Sequence, residues 1–143
     1  MSIFVWAEEV EITASVVKAE NIKKEVHFSG NVKIKKMDDS IFADEVIVYF
    51  NENNQTNKYE AKGKVKFTFK TKTAFYKGIA NRVIYYPLSS IYILEGKAHL
   101  KDEMTSNSLD GENIKLNMLT GKITIKGTKS KPVKFTFDIG ESK

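Results

Sequence analysis

Residue types that carry catalysis or bind metals are scarce in this chain of 143 residues. It has two histidines, His27 and His99, and no cysteine. Histidine can act as a general base or a metal ligand, but each of these two lies on the polar side of an alternating stretch. Neither has a second histidine at the short spacing that metal sites use, and no thiolate can complete a set. The sequence therefore predicts two surface histidines and no metal site.

The acidic pairs of the chain also lack a catalytic context. Asp38 and Asp39 lie in a polar stretch that predicts a turn. Asp44 recurs in equivalent positions as Asn81 and Glu112, which is typical of a structural position beside a strand. The Gly-Lys pairs do not complete the G-x-x-x-x-G-K-[ST] motif that a phosphate loop requires. We therefore predict that the protein is not an enzyme and needs no cofactor.

The most regular feature of the chain is a repeat marked by glycine. Gly30, Gly63 and Gly96 follow one another at intervals of 33 residues, and each is followed by apolar residues two and four positions later. Alternation with a period of two predicts a strand with one buried and one exposed face. We expect the glycine at the start of each strand to form a bulge or a tight bend.

A second predicted strand occupies the other half of each repeat, at residues 43–50, 80–86 and 111–118. In the third copy Lys115 and Asn117 are polar, whereas the alternate residues Ile114, Leu116 and Met118 are apolar. This alternation indicates the direction in which the equivalent side chains of the other copies point. Ala98 and Phe137 are assigned to the inward face in the same way. The inward positions that could contact an apolar ligand are Val32, Ile34, Val46, Val48, Phe50, Val65, Phe67, Phe69, Val83, Tyr85, Leu100, Ile114, Leu116, Met118, Ile123, Ile125 and Phe135.

These patterns predict an all-β protein, an elongated architecture built from about three repeated strand pairs. Residues 8–143 are long enough for a single domain with its own core. Residues 1–7 are apolar and end in Ala7 before two glutamates, which resembles the end of a secretory signal peptide. We expect residues 1–7 to be a signal-peptide remnant or disordered.

The net charge of +5 does not require a nucleic-acid partner. Many of the lysines stand at alternate positions of the predicted strands, as Lys33, Lys35, Lys64 and Lys66 do, and so lie on the solvent side. Lysine on edge strands also discourages aggregation. The inward residues leave two alternatives open. A closed sandwich would bury them all as core, whereas two sheets that splay apart would form an apolar trough suited to an alkyl chain.

Four short motifs resemble a known family. They are F-x-G-N-V-x-I at residues 28–34, I-x-A-D-x-V-x-V at residues 41–48, L-x-G-x-A-x-L at residues 94–100 and L-x-G-x-x-I-x-L at residues 109–116. In order and spacing they resemble the OstA-like family of periplasmic lipopolysaccharide-transport proteins, which includes LptA.

The resemblance implies a β-jellyroll that is open along one side and binds the lipid A part of lipopolysaccharide in its interior. It also implies location in the periplasm and head-to-tail homo-oligomers. Head-to-tail oligomers of this kind would form a bridge across the periplasm. The bridge would join an inner-membrane export complex to an outer-membrane assembly protein, both with OstA-like domains. The alternatives are the OstA-like domain of the inner-membrane export component and a ligand-free structural β-repeat module.

One departure from the family pattern is the number of apolar residues on the predicted outer side. They are Ile41, Ile47, Tyr49, Ile84 and Tyr86. They predict either a more enclosed fold or an additional contact surface.

Overall fold

The computed structural model describes residues 9–137, so the predicted signal-peptide remnant at residues 1–7 lies outside the described residues. The prediction of an all-β fold is confirmed. Residues 9–137 include no helix of the length and apolarity that a membrane crossing requires. The strands are β1 (Val10–Thr13), β2 (Val16–Glu20), β3 (Glu25–Lys36), β4 (Asp39–Phe50), β5 (Thr56–Lys70), β6 (Phe75–Tyr86), β7 (Ile91–Asp102), β8 (Ser108–Asn117), β9 (Ile123–Lys126) and β10 (Lys134–Thr136).

All of these strands belong to one antiparallel sheet. Strands β3 to β8 pair in the order of the chain. At one side both β1 and β2 pair with β3, and at the other side both β9 and β10 pair with β8. Within the described part of the chain β1 and β10 do not pair with each other, so the sheet keeps two free edges and does not close. This agrees with the predicted open jellyroll.

The repeated glycines lie inside long strands and not at their starts. Gly30, Gly63 and Gly96 have φ angles of 84°, 85° and 81°. Each is followed by a second residue with positive φ, and the register shifts at each of these points. The predicted bulge is therefore confirmed, but the strand starts were wrong. A strand continues through each bulge because its backbone hydrogen bonds resume on the far side.

The bulges fold the sheet into two layers that face each other. Phe69 pairs with Tyr76, and Tyr76 pairs with Asp102 on β7. Asp102 is ten residues from Tyr92, so Phe69 and Tyr92 would be about 33 Å apart in a flat sheet. Their ring centroids are 3.9 Å apart. The sheet must therefore turn back on itself, which is the effect expected of a line of bulges.

The first layer contains the halves of the long strands near residues 25–29, 45–50, 56–62, 82–86, 91–95 and 113–117. The second layer contains the halves near residues 32–36, 39–42, 65–70, 75–79, 98–102 and 108–111. The core fills the space between the layers. Ile41 lies in this core with 7% of its surface exposed, so its assignment to the outer side was wrong. The register of β4 with β5 shifts between Phe42 and Glu45, opposite the Gly63 bulge of β5, and there the inward positions of β4 move by one residue.

Ile47 and Ile84 do lie on the outer side of the first layer, but both are buried. They flank Glu60 on the neighbouring strand β5. Glu60 is only 3% exposed, and Arg82 donates to its carboxylate through both Nε, at 2.6 Å, and Nη2. The hydroxyl of Tyr49 donates a third hydrogen bond at 3.1 Å. The outer apolar residues thus enclose an ion pair.

This environment shifts the pKa values of the cluster. Burial acts to raise the pKa of Glu60, but the hydrogen bonds from Arg82 and Tyr49 outweigh burial and leave the pKa below its usual value. For Tyr49, burial together with the adjacent Glu60 carboxylate raises the pKa to about 12. The phenol of Tyr49 is therefore held in its neutral, donating form.

We expect Gly63→Ala to lower the free energy of unfolding more than Gly121→Ala, as measured by urea denaturation. Both glycines have positive φ, so each substitution costs about 1–2 kcal/mol in backbone strain. At Gly63 an added Cβ would also lie 2.8 Å from the Cβ of Asp44, whereas at Gly121 it would meet nothing within 4 Å. Adding Asp44→Ala should restore part of the loss, because it removes the Cγ and the carboxylate of Asp44, which would also lie within 3 Å of the added Cβ, and leaves only the contact with the Cβ of residue 44. Equal losses at the two glycines would contradict this account of the bulge.

We expect stability to fall more steeply between pH 10 and pH 12 in the wild-type protein than in Tyr49→Phe. An unfolded tyrosine ionises near pH 10, whereas folded Tyr49 keeps its proton to about pH 12. The stabilisation from the raised pKa is therefore complete below pH 10 and is lost as the pH rises towards 12. The measurement is the free energy of unfolding at several pH values. If the free energy of unfolding falls equally with pH in the two proteins, the raised pKa of Tyr49 is refuted.

Candidate lipid-binding interior

The space between the two layers contains most of the residues predicted to face inward. Twelve of the seventeen are buried in the core, namely Val32, Ile34, Val46, Val48, Val65, Phe67, Phe69, Val83, Tyr85, Leu100, Ile114 and Leu116. Phe50, Met118, Ile123 and Ile125 are partly buried against them. Phe135 is different, since 54% of its surface is exposed. Ala98 is also buried in the core, and Phe137 is exposed.

The centre of the interior is tightly packed by aromatic rings. Phe67 stacks on Phe69 in the second layer with centroids 4.8 Å apart, and Phe69 contacts Tyr92 of the first layer. Tyr92 in turn stacks on Tyr85 at 4.3 Å, and Tyr85 on Tyr59 at 5.9 Å. These five rings, here called the aromatic line, join the two layers. The centre is therefore closed in this structure.

Tyr59 and Tyr92 were not among the predicted positions. Both precede the glycine of their repeat by four residues, and each alternates with an apolar residue, Ala61 and Leu94. This alternation could have identified Tyr59 and Tyr92 as inward residues. It was missed because the strands were taken to begin at the glycines, although the structure extends them upstream to Thr56 and Ile91.

A cavity of about 250 Å³ opens beside β1 and β3 at one side of the interior. Its apolar wall is formed by Val10, Ile34, Ile41, Leu88 and three tyrosines of the aromatic line, Tyr59, Tyr85 and Tyr92. Lys36 also lines it, and its Nζ donates to the hydroxyl of Tyr85 at 3.0 Å. Asp39, which is opposite Lys36 in the register, lines the cavity as well. The cavity thus combines an apolar wall with one cationic and one acidic side chain.

Two smaller recesses lie on the other side of the interior, beside β8, β9 and β10. One, of about 200 Å³, is lined by Tyr76, Leu116, Met118 and Ile123 among others. The other, of about 120 Å³, contains Phe135 as well as Tyr76 and Ile123. Burial, reinforced by the charge of Asp102, raises the pKa of Tyr76, so its phenol stays neutral. Thr71, Thr73, Asn117 and Lys122 also line the first of these recesses, and Asp102 and Asn107 line the second. A largely apolar cavity therefore lies on one side of the closed centre and two recesses of mixed polarity on the other.

The chemistry of the interior is almost purely apolar. Glu60 is the one charged residue among residues 9–137 that is fully buried, and it lies on the outer side of the first layer. Burial of an alkyl chain is worth about 0.8 kcal/mol per CH₂ group. An interior without buried charge suits such a chain.

The two histidines lie outside this interior, as predicted. His27 is hydrogen-bonded to Glu25 at 3.0 Å, and His99 to Asp110 at 2.7 Å. Within residues 9–137 no group of three or more histidine, cysteine or acidic residues could hold a metal ion.

Comparisons with known proteins agree with this geometry. Residues 11–122 match the model of a family described as the LptA/(LptD N-terminal domain) LPS transport proteins. The fold is similar to the crystal structure of LptH, the LptA homologous periplasmic component of the lipopolysaccharide transport device from Pseudomonas aeruginosa. The TM-score is 0.81 at 11% sequence identity, over 92% of this chain and 96% of that chain. No curated protein matches the chain in sequence.

The family match extends over most of the chain and includes all three glycine bulges and most of the interior. The family is one of transport proteins, which agrees with the prediction that the chain is not an enzyme. The chain belongs to the LptA/(LptD N-terminal domain) family of lipopolysaccharide-transport proteins.

Proposed function

We propose that this protein is a periplasmic carrier that holds the acyl chains of lipid A between its two layers. The single observation that carries the proposal is the uncharged interior of an unclosed, folded sheet, in a chain that belongs to a lipopolysaccharide-transport family. The seventeen inward positions named from the sequence would contact the chains, together with Ile41, Tyr59 and Tyr92. The periplasmic location is supported by the similar fold of LptH.

Entry of a chain would begin at the cavity beside β1 and β3. This cavity is open to solvent on one side and is lined by Val10 of the edge strand. Lys36 would place a cation near the mouth, where the anionic headgroup of the lipid would remain in water. Further entry would separate Phe69 from Tyr92 and so part the two layers. Because the sheet does not close, this motion would break no strand pairing between the two edges.

A photo-crosslinking residue at Tyr59 should capture lipopolysaccharide, and the same residue at Tyr86 should not. Benzoylphenylalanine replaces one aromatic ring by another at both positions. Tyr59 lines the cavity, whereas Tyr86 follows Tyr85 on the strand and has the opposite facing. Purified variants would be irradiated with lipopolysaccharide and the adduct measured by immunoblotting.

A ligand-free structural module is the alternative, and the packed centre of the interior favours it. It predicts that neither position forms an adduct. Equal capture at Tyr59 and Tyr86 would indicate lipopolysaccharide on the outside of the protein, and would equally overturn the proposed carrier.

We also propose that the free edges mediate head-to-tail association and docking to the OstA-like domains of the inner-membrane export complex and the outer-membrane assembly protein. Strands β1 and β10 end the sheet, so each has a side whose backbone groups pair with no other strand of the described chain. Such edges can add a strand from another molecule. Joining two different edges gives a contact that repeats without closing.

Ending the chain at Pro132 should reduce the mass of the oligomer without unfolding the protein. The deletion removes β10, which pairs with β8 over only three residues, none of them buried. Multi-angle light scattering over a range of concentrations is the measurement, with thermal unfolding to confirm the fold. Phe135→Ser is the control, since it keeps the backbone edge and should still associate. An unchanged mass distribution in the truncated chain would contradict edge pairing at β10.

A further inference from the structure

The outer face of the second layer differs in its charges from the outer face of the first layer. Two rows of side chains cross strands β3 to β7 on this face. The first row reads Lys33, Phe42, Lys66, Ile79 and His99 in register, and the second reads Lys35, Ser40, Thr68, Lys77 and Lys101. We call these ten residues the basic face.

The basic face contains five lysines and no carboxylate. Lys33, Lys35, Lys66 and Lys77 are exposed, and Lys101 is partly exposed. No ion pair involving any of the five occurs among residues 9–137. Asp110, which borders the first row beyond His99, is engaged by that histidine at 2.7 Å. Two glutamates also border the face, since Glu11 of β1 is opposite Lys35 in the register and Glu103 lies near Lys77 and Lys101. With five lysines and carboxylates only at its borders, the face keeps a net positive charge.

The outer face of the first layer provides the comparison. It has the same strand geometry, but its charges are mixed. Arg82 lies between Glu60 and Glu95 and bonds to both, and Lys62 lies 3.7 Å from Glu60. Solubility and protection of the strands require charged residues on both faces. They do not require one sign alone, so the basic face calls for a separate explanation.

Two large apolar side chains stand among the lysines. Phe42 is 45% exposed and Ile79 is 50% exposed, and both belong to the first row with Lys66 between them. The Nζ of Lys33 lies 5.3 Å from the centroid of the Phe42 ring. A shallow recess of about 430 Å³ runs between Phe42, Ile79 and the lysines Lys66, Lys77 and Lys101, and Glu103 is the one carboxylate that lines it. The face is therefore both basic and locally apolar.

We propose that the basic face docks on the surface of an anionic phospholipid bilayer. Each lysine near such a surface is attracted by the negative lipid headgroups, and the side chains of Phe42 and Ile79 would enter the boundary between headgroups and acyl chains. A bilayer offers uniform negative charge over a broad area, which matches five lysines spread over the four strands β3, β5, β6 and β7. A single-stranded nucleic acid would instead need several aromatic rings for stacking, and Phe42 is the one aromatic residue of the face.

This docking is separate from the proposed carriage of acyl chains, because it uses the opposite side of the second layer. It would hold the carrier against a membrane with its interior facing away from the headgroups. The two proposals can therefore fail independently, and the experiment uses vesicles that contain no lipopolysaccharide.

The experiment is co-sedimentation of the purified protein with vesicles. Vesicles of phosphatidylglycerol mixed with phosphatidylcholine should bind the wild-type protein, and vesicles of phosphatidylcholine alone should not. Lys66→Glu with Lys77→Glu should weaken binding about tenfold or more. The matched control is Lys115→Glu with Lys126→Glu, which changes the net charge equally on exposed residues of the first layer and β9 and should bind as the wild type does.

Phe42→Ser with Ile79→Ser tests the apolar part. It should weaken binding to the mixed vesicles several-fold, and the weakening should persist at low salt, because insertion of apolar groups is not screened. Circular dichroism would confirm that each variant is folded. The proposal is overturned if the wild-type protein does not bind anionic vesicles. It is overturned equally if the variant of Lys66 and Lys77 and the control variant of Lys115 and Lys126 lose binding to the same extent. It is also overturned if single-stranded DNA, measured by fluorescence anisotropy, binds the basic face and vesicles do not.

Discussion

The fold depends on a backbone conformation that recurs three times. At Gly30, Gly63 and Gly96 the chain enters the left-handed region, and the following residue does the same. Two successive residues of this kind turn the strand sharply without ending its pairing. Because the three bulges lie in β3, β5 and β7 of one meander, they form a line along which the whole sheet bends. Without this line the sheet would be flat, and Phe69 could not reach Tyr92.

Side chains from neighbouring parts of the sheet pack directly against the three bulge glycines. A Cβ on Gly30 would contact Ser15, one on Gly63 would contact Asp44, and one on Gly96 would contact Asn81. The lack of a side chain at each glycine thus has two effects. It permits the positive φ angle, and it leaves room for the neighbouring residue to pack closely. This explains why Asp44 and Asn81 occupy equivalent positions of the repeat. Their role is structural, as the sequence suggested.

The sequence was sufficient to predict what depends on period and composition. The 33-residue interval gave the three equivalent strands, and the alternation after each glycine identified Val32, Val65 and Leu100 as inward residues. It was not sufficient where a bulge changes the alternation. Ile41 was assigned to the wrong side because the inward positions of β4 shift by one residue where this strand passes the bulges of β3 and β5. A period of two cannot reveal such a shift before the pairing is known.

Other features were missed because they depend on contacts between distant strands. The burial of Glu60 requires Tyr49 and Arg82 from two neighbouring strands, and no local pattern brings these residues together. The apolar residues Ile47 and Ile84 looked anomalous on an outer face until this cluster explained them. Phe135 continues the alternation of the inward residues but remains half exposed, because β10 pairs with β8 at the margin of the sheet.

A closed centre and a proposed ligand are compatible on energetic grounds. To admit an alkyl chain, the layers must part along the aromatic line, but the surfaces that separate are then covered by another apolar surface and not by water. The cost is the loss of ring contacts such as that of Phe69 with Tyr92, about 0.5–1.5 kcal/mol per pair beyond the buried area. Burying about ten methylene groups of the alkyl chain would stabilise the complex by about 8 kcal/mol. The hydrogen bonds of the sheet need not change, because its two edges are already free. When the layers part, apolar side chains therefore exchange contacts with each other for contacts with the alkyl chain. An unclosed sheet that bends at bulges can open in this way, whereas a closed sheet would first have to break the pairing between its edges.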